Sequence, residues 1–233
     1  MIYAIGCSFT YGAELADRSQ AWPGVLSTLL NQEVKNLGRE ATGNTRIVKR
    51  SLDVVLSDCK LLVISWTNPG RIELADNYGI YDVWGGRISP WINNENLKHR
   101  LDFIKHTVVH DQPEYYYTNW LRQIILIQSI CKLKQIPCVM FISHNANKLH
   151  MKYSHKHLDL VNNIDMSMFV DKTMFDSTDE WTNKINKMPN GHPSPEGHIL
   201  IASKVYEHIR CIVTGKHIST TPNSCRALGW NGG

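Results

Sequence analysis

The chain has 233 residues, 42% of them hydrophobic and 20% charged, enough to bury one substantial core in a single domain. Lysine plus arginine, 25, barely exceeds aspartate plus glutamate, 21, so neither a dedicated nucleic-acid binder nor a membrane-surface protein is expected. No apolar run approaches the roughly 18 residues of a bilayer-spanning helix. The opening residues Met1 to Cys7 carry no basic leader and no signal-peptide core, which points to a cytoplasmic protein. Cys7, Cys59, Cys131, Cys138, Cys211 and Cys225 form no CxxC pair, so reduced thiols are expected.

Ile2 to Ile5 is a short apolar strand ending at Gly6, and Trp22 to Leu30 has helical spacing after a small, polar loop. Val34 to Leu37 is a second short strand candidate, and Ile47, Val48, Leu52, Val55 and Leu56 mark one face of a helix that opens near Gly43-Asn44. Leu61 to Trp66 is continuously apolar, as a parallel strand covered on both faces should be, and stops at the turn Asn68-Pro69-Gly70. Residues 70–112, with Trp84, Trp91 and several glycines, show little periodicity and predict an irregular excursion. Tyr115 to Leu133 predicts a helix, Cys138 to Ile142 a further buried strand, and residues 143–190 a second polar excursion with one helix. Pro195 to Ile212 predicts the last helix, with proline in its first turn.

Strands alternating with helices predict a three-layer α/β/α sandwich around a central parallel sheet, flavodoxin-like in kind, over residues 1–213. A tail at 214–233 follows, without amphipathic period. In such folds ligands bind at the carboxyl ends of the strands, so the loops after Ile5, Leu37, Trp66 and Ile142 are the places to look.

Ser8 follows the first strand directly, where its hydroxyl can face that cleft. Its surroundings are not the GxSxG elbow, because Thr10 stands where the second glycine would be. Cys7 is the more nucleophilic atom type, but its place at the strand end predicts a buried small residue. Near the other end, Asn190-Gly191-His192-Pro193-Ser194-Pro195 is a turn that feeds the last helix. A histidine fixed in such a turn suits a general base, and a serine hydroxyl attacks only when a neighbour removes its proton. His144, His150, His155 and His157 form no recognised metal motif and predict a solvated loop. Tyr115 to Tyr117 with Trp120, and Trp84 with Trp91, are candidates for sugar stacking or for packing. Arg71 is a candidate either for an acidic substrate group or for pinning the first excursion.

Four blocks then fall in a familiar order: Gly6-x-Ser8-Phe9-Thr10-x-Gly12, then Asn36-Leu37-Gly38 with Gly43-Asn44, then Trp66-Thr67-Asn68-Pro69-x-Arg71, and His192-Pro193-Ser194 with Gly197-His198. Together they resemble the SGNH (GDSL-type) hydrolase superfamily, and within it the short members found in bacteria and their phages. The resemblance implies a serine esterase without metal or organic cofactor. Ser8 matches the nucleophile and His192 the base, while the Ser8 NH, the Gly43 NH and the Asn68 side-chain amide match the oxyanion hole. It also implies a small ester or O-acetylated carbohydrate as substrate.

One departure is plain. The superfamily places an aspartate two or three residues before the histidine, and here Pro189 and Asn190 stand there. Asn190 can orient the ring but lacks the charge. Either a carboxylate from elsewhere, such as Asp171, Asp176, Asp179 or Glu180, substitutes, or a Ser8–His192 dyad works slowly, or activity has been lost. The rival expectation is a protein that keeps the fold without turnover, binding a protein partner through the tail and belonging to a virion if the source is viral. Over residues 203–233, four basic residues stand against one acidic.

Overall fold

The computed structural model describes residues 1–76, 79–84, 87–88, 113–144, 147–174, 177–182 and 187–214. Four parallel strands form the central sheet: β1 (Ile2–Ile5), β2 (Val34–Asn36), β3 (Leu61–Trp66) and, after the first excursion, β7 (Cys138–Ile142). Their order is β2-β1-β3-β7, with Ile2 opposite Val34 on one side and Leu61 on the other, and Leu62 opposite Cys138. The chain therefore leaves β1 to one side and returns past it to β3. That reversal opens a crevice at the carboxyl ends of β1 and β3, the usual ligand position in open parallel sheets.

The period-two alternation of a strand divides the side chains between two cores. Tyr3, Ile5, Leu62, Ile64, Trp66, Met140 and Ile142 face α3 (Asn44–Val55) and α4 (Pro113–Leu133), through Ile47, Val55, Tyr117, Trp120, Leu121, Ile124 and Ile127. Ile2, Ala4, Val63, Val139 and Phe141 face α2 (Trp22–Leu30) and the C-terminal helix, Pro195–Thr214, through Trp22, Leu26, Ile201, Ala202 and Val205. Strands covered on both faces need no polar alternation, which is why Leu61 to Trp66 reads as one buried run. The three-layer α/β/α arrangement expected from the sequence is present.

Both excursions differ from expectation. Within the first, β4 (Ile72–Asp76), β5 (Gly79–Trp84) and β6 (Arg87–Ile88) form a separate antiparallel sheet. Its first strand is tied to α3 by a buried ion pair, Arg46 Nε to Glu73 Oε1 at 3.2 Å. Residues 89–112, Trp91 among them, lie outside the described residues, as does the tail beyond Thr214. The second excursion holds more than one helix: α5 (Asn147–Tyr153), α6 (Leu158–Asn162) and α7 (Thr178–Thr182), with single 3₁₀ turns between them. Isolated parallel bridges from Met140 to Phe169 and from Ile142 to Ser177 lay this segment along the outer edge of β7. The C-terminal helix is then α8.

The aromatic residues proposed for sugar stacking on α4 belong largely to the core, since Tyr116, Tyr117 and Trp120 are buried. His150 is buried against Tyr117, Nδ1 to Oη 2.7 Å, and His157 pairs with Glu114 at 2.9 Å. His150 and His157 thus each have a partner of their own, and His150 is buried where a solvated loop was expected.

Candidate active site

The loop after β1 turns at once into α1 (Ser8–Tyr11), a single helical turn capped by Gly12 at φ 84°. Ser8 is its first residue and is buried to 5% exposure, with the helix NH groups behind it. Cys7 precedes it, fully buried, its Sγ 3.3 Å from Ser143 Oγ and 3.8 Å from His144 Nε2 at the end of β7. Burial alone would raise the Cys7 thiol. The hydrogen bond and charge of His144, with the charge of Arg71, outweigh it and draw the thiol down to about 5. Cys7 therefore ties the Ser8 loop to the end of β7 and is buried.

The second block knits onto the same loop. Asn36 Nδ2 donates to Thr10 O at 2.8 Å, Asn36 Oδ1 accepts from Gly38 N at 2.9 Å, and Arg39 N donates to Gly6 O. Gly38 is required by the contact, because a Cβ there would lie 2.5 Å from Tyr11 N and 2.7 Å from Thr10 C, both backbone. Gly38→Ala should therefore push α1 out of place and cost about 1–3 kcal/mol, as overpacking does. Urea denaturation checks the loss, and an unchanged midpoint would refute the contact.

Gly43 is the N-cap of α3 and carries no side-chain cap, and a Cβ on it would come within 3.1 Å of Arg71 O. Asn44 fastens this corner to the third block: its Nδ2 donates to Thr67 O at 3.1 Å and Asn68 O at 3.3 Å, and its Oδ1 accepts from Thr67 N at 3.0 Å. Asn68 uses its Oδ1 to accept from Gly70 N at 2.8 Å, so its Nδ2 is the end left for an outside acceptor. Gly43 and Asn68 are thereby brought together beside β3. Arg71 is buried in the same corner, and its NH donates to Asn68 O at 3.0 Å.

His192 sits in a tight turn whose chemistry is legible. Gly191 N donates to Met188 O, Pro189 fixes the second position, Gly191 takes φ 88°, and Met188 N donates to His192 O. The next residues start α8: Ser194 Oγ accepts from Gly197 N at 3.2 Å, with Pro195 in the first turn. The His192 ring lies edge-on to Phe9, centroids 5.6 Å apart, and Phe9 also meets His144 at 4.5 Å. Ser8 Oγ and His192 share no direct hydrogen bond; the bonds of His192 go elsewhere.

They go to a residue that the motif reading missed. Glu14 Oε2 lies 2.6 Å from His192 Nδ1 and 3.4 Å from the His192 NH, while Glu14 Oε1 accepts from Asn190 N at 3.1 Å and Asn190 Nδ2 at 2.8 Å. Burial pushes the Glu14 carboxyl upward, but the bonds from His192 and Asn190 prevail and hold it below the usual range. Asn190 itself therefore faces Glu14. Of the carboxylates expected to substitute, Asp171 is engaged by Lys204 Nζ at 2.5 Å, Asp176 lies outside the described residues, and the side chains of Asp179 and Glu180 are not described.

A scan against protein-family models finds no match, and a search of curated proteins finds none either. Solved structures do match. A G-D-S-L family protein from Desulfitobacterium hafniense DCB-2 superposes with a TM-score of 0.53 at 16% identity, covering 89% of this chain and 98% of its own. The fold is that of the SGNH hydrolases. TesA, at 12% identity and TM-score 0.53, covers 90% of this chain and 97% of its own. The psychrotrophic esterase EstA from Pseudoalteromonas sp., at 10% identity and the same TM-score, covers 91% and 98%. In this SGNH fold the four sequence blocks occupy the crevice side of the sheet, with Ser8 and Asn68 following the two strands that flank it.

Proposed function

We propose that this SGNH-fold protein is a serine ester hydrolase working through an acyl-Ser8 intermediate. The observation that carries the reading is the His192 ring. Its Nδ1 meets a carboxylate at 2.6 Å, so that nitrogen holds the proton and Nε2 keeps its lone pair, beside the helical turn that carries Ser8. An imidazole of that tautomer beside the turn that carries a serine suits a general base, with the hydrogen bond to the nucleophile to form in the substrate complex.

In the proposed reaction the Ser8 Oγ–H proton passes to His192 Nε2 as Oγ bonds to the ester carbonyl carbon. The carbonyl π pair moves onto oxygen, where the Ser8 NH, the Gly43 NH and Asn68 Nδ2 receive it. Collapse breaks the bond to the leaving alcohol, which takes the proton from His192. Water then attacks the acyl-Ser8 carbon, giving a proton to Nε2; collapse breaks the carbon–Oγ bond, His192 returns that proton to Ser8 Oγ, and the carboxylic acid leaves. EstA, whose fold this chain shares, is an esterase, which favours the same reaction class. A small ester is the proposed substrate, and an O-acetylated carbohydrate is the finer expectation to include in the assay.

Fluorophosphonate labelling with mass-spectrometric site mapping tests the reading directly, since the reagent reacts only with an activated serine. The adduct is expected on Ser8 and should be lost in His192→Ala. An unlabelled Ser8 in the folded protein would refute the assignment.

A further inference from the structure

We infer that Glu14 is the positioning carboxylate of this site, acting through His192 in place of the aspartate missing before the histidine, and that Asn190 has become the clamp that holds Glu14. The inference rests on the hydrolase reading and adds a residue to it.

Three observations converge. First, the carboxylate is fully engaged: Oε2 faces His192 Nδ1 and the His192 NH, and Oε1 takes both NH donors of Asn190. A surface ion pair of ordinary kind would not use four donors from one turn. Second, Glu14 holds its backbone at φ 67°, in the left-handed region that side chains other than glycine rarely adopt, two residues after Gly12 at φ 84°. Such a conformation costs roughly 1 kcal/mol or more and persists where the surroundings demand it. Here it turns the chain back after α1 and aims the side chain at the His192 turn. Third, the loop that supplies the acid also carries Ser8, so one seven-residue stretch, Ser8 to Glu14, presents both nucleophile and carboxylate to the histidine.

Chemically the exchange is conservative for the ring and not for the chain. A carboxylate on Nδ1–H fixes the tautomer and stabilises the imidazolium formed when Nε2 takes the serine proton, wherever in the sequence that carboxylate originates. What changes is its tether. Asn190, at the position where the family has its acid, donates to the replacement. A second carboxylate there would face Glu14 Oε1 across the 2.8 Å now spanned by the amide hydrogen bond. Like charges at that distance raise each other's pKa and weaken the anion that His192 needs.

The test uses the full chain and has one readout independent of turnover. The Nδ1 proton of His192, assigned by its loss in His192→Ala, should resonate far downfield of the amides in the parent protein's NMR spectrum. It should lose that position in Glu14→Gln, which keeps the side-chain size but offers one acceptor oxygen in place of two and no charge. With 4-nitrophenyl acetate, Glu14→Gln should lower kcat by roughly 10²- to 10⁴-fold, the range set by replacing such a carboxylate with its amide, and leave KM within about threefold. Asn190→Asp should lower kcat about tenfold. A Glu14→Gln protein with the downfield signal intact, or with kcat within about twofold of the parent, would overturn the inference, as would a gain of activity in Asn190→Asp. If the parent shows the downfield signal and its loss in Glu14→Gln yet never labels at Ser8, the hydrolase reading has failed while the Glu14–His192 pairing stands.

Discussion

Ser8→Ala and His192→Ala are each expected to remove 4-nitrophenyl acetate hydrolysis by roughly 10⁴- to 10⁶-fold, and the double variant should be no worse than either alone. A nucleophile and its base act as a unit, so removing one strands the other. Serine without Nε2 beside it retains its proton, and imidazole without a hydroxyl has only water to activate. Neither change should unfold the protein. Ser8 anchors no hydrogen-bond network through its side chain, and truncating His192 leaves the turn from Met188 to Gly191 with its own backbone bonds. Steady-state kinetics alongside thermal melts check this. Additive losses in the double variant, or a Ser8→Ala protein with a tenth or more of parental turnover, would place the chemistry on another residue.

The second large effect is on stability and concerns His198, one turn into α8. The residue is completely buried, and its Nδ1 accepts from the backbone NH of Trp22 at 3.1 Å, joining the starts of α2 and α8. Burial, reinforced by the charge of His192, pushes its pKa from 6.5 down to about 4. The folded protein therefore keeps His198 neutral while the unfolded chain takes up a proton below 6.5. Stability is unaffected by this group above that value and falls as pH descends through the window from 6.5 to 4. The full effect is about 3 kcal/mol at 1.36 kcal/mol per unit, a large part of the net stability of an ordinary domain. His198→Asn keeps an acceptor near the Nδ1 position and removes the titration. Urea unfolding at pH 7 and at pH 4 should show the variant losing about 3 kcal/mol less than the parent on acidification. Parallel losses in the two proteins would mean that His198 titrates normally.

The strands of the main sheet were readable because burial on both faces leaves continuous apolar runs: Leu61–Trp66 and Cys138–Ile142 have the ends expected of them, and Trp22–Leu30 carries its helical spacing openly. The excursions were not readable for a related reason. In β4 to β6 the strands carry Glu73, Asp76 and Asp82 among the apolar residues, and in the second excursion single turns are stabilised by local caps such as Asp165 accepting from Ser167 N. Such elements have no period to detect. Ser8, Gly43, Asn68 and His192 stood out as a set because the four blocks that contain them resemble, in their order, those of the SGNH superfamily. Glu14 did not, because its partner lies 178 residues away and a positive φ at a non-glycine residue leaves no mark in sequence. A signal was nevertheless present. With no acid before His192, the loop between Ser8 and α2 offers only Glu14 and Asp17, and Asp17 caps its own turn through Ser19. The absent charge at Asn190, which had argued for lost turnover, is thus a relocated charge.

The relocation also bears on the order of synthesis. Ser8 and Glu14 are made close together, but the imidazole that Glu14 holds arrives 178 residues later and is seated by the start of α8. A nascent chain can fold β1 and α1 early and still hold a serine no more reactive than one in water. On the proposed mechanism, chemistry at Ser8 waits until residue 192 has been made and α8 has docked on α2.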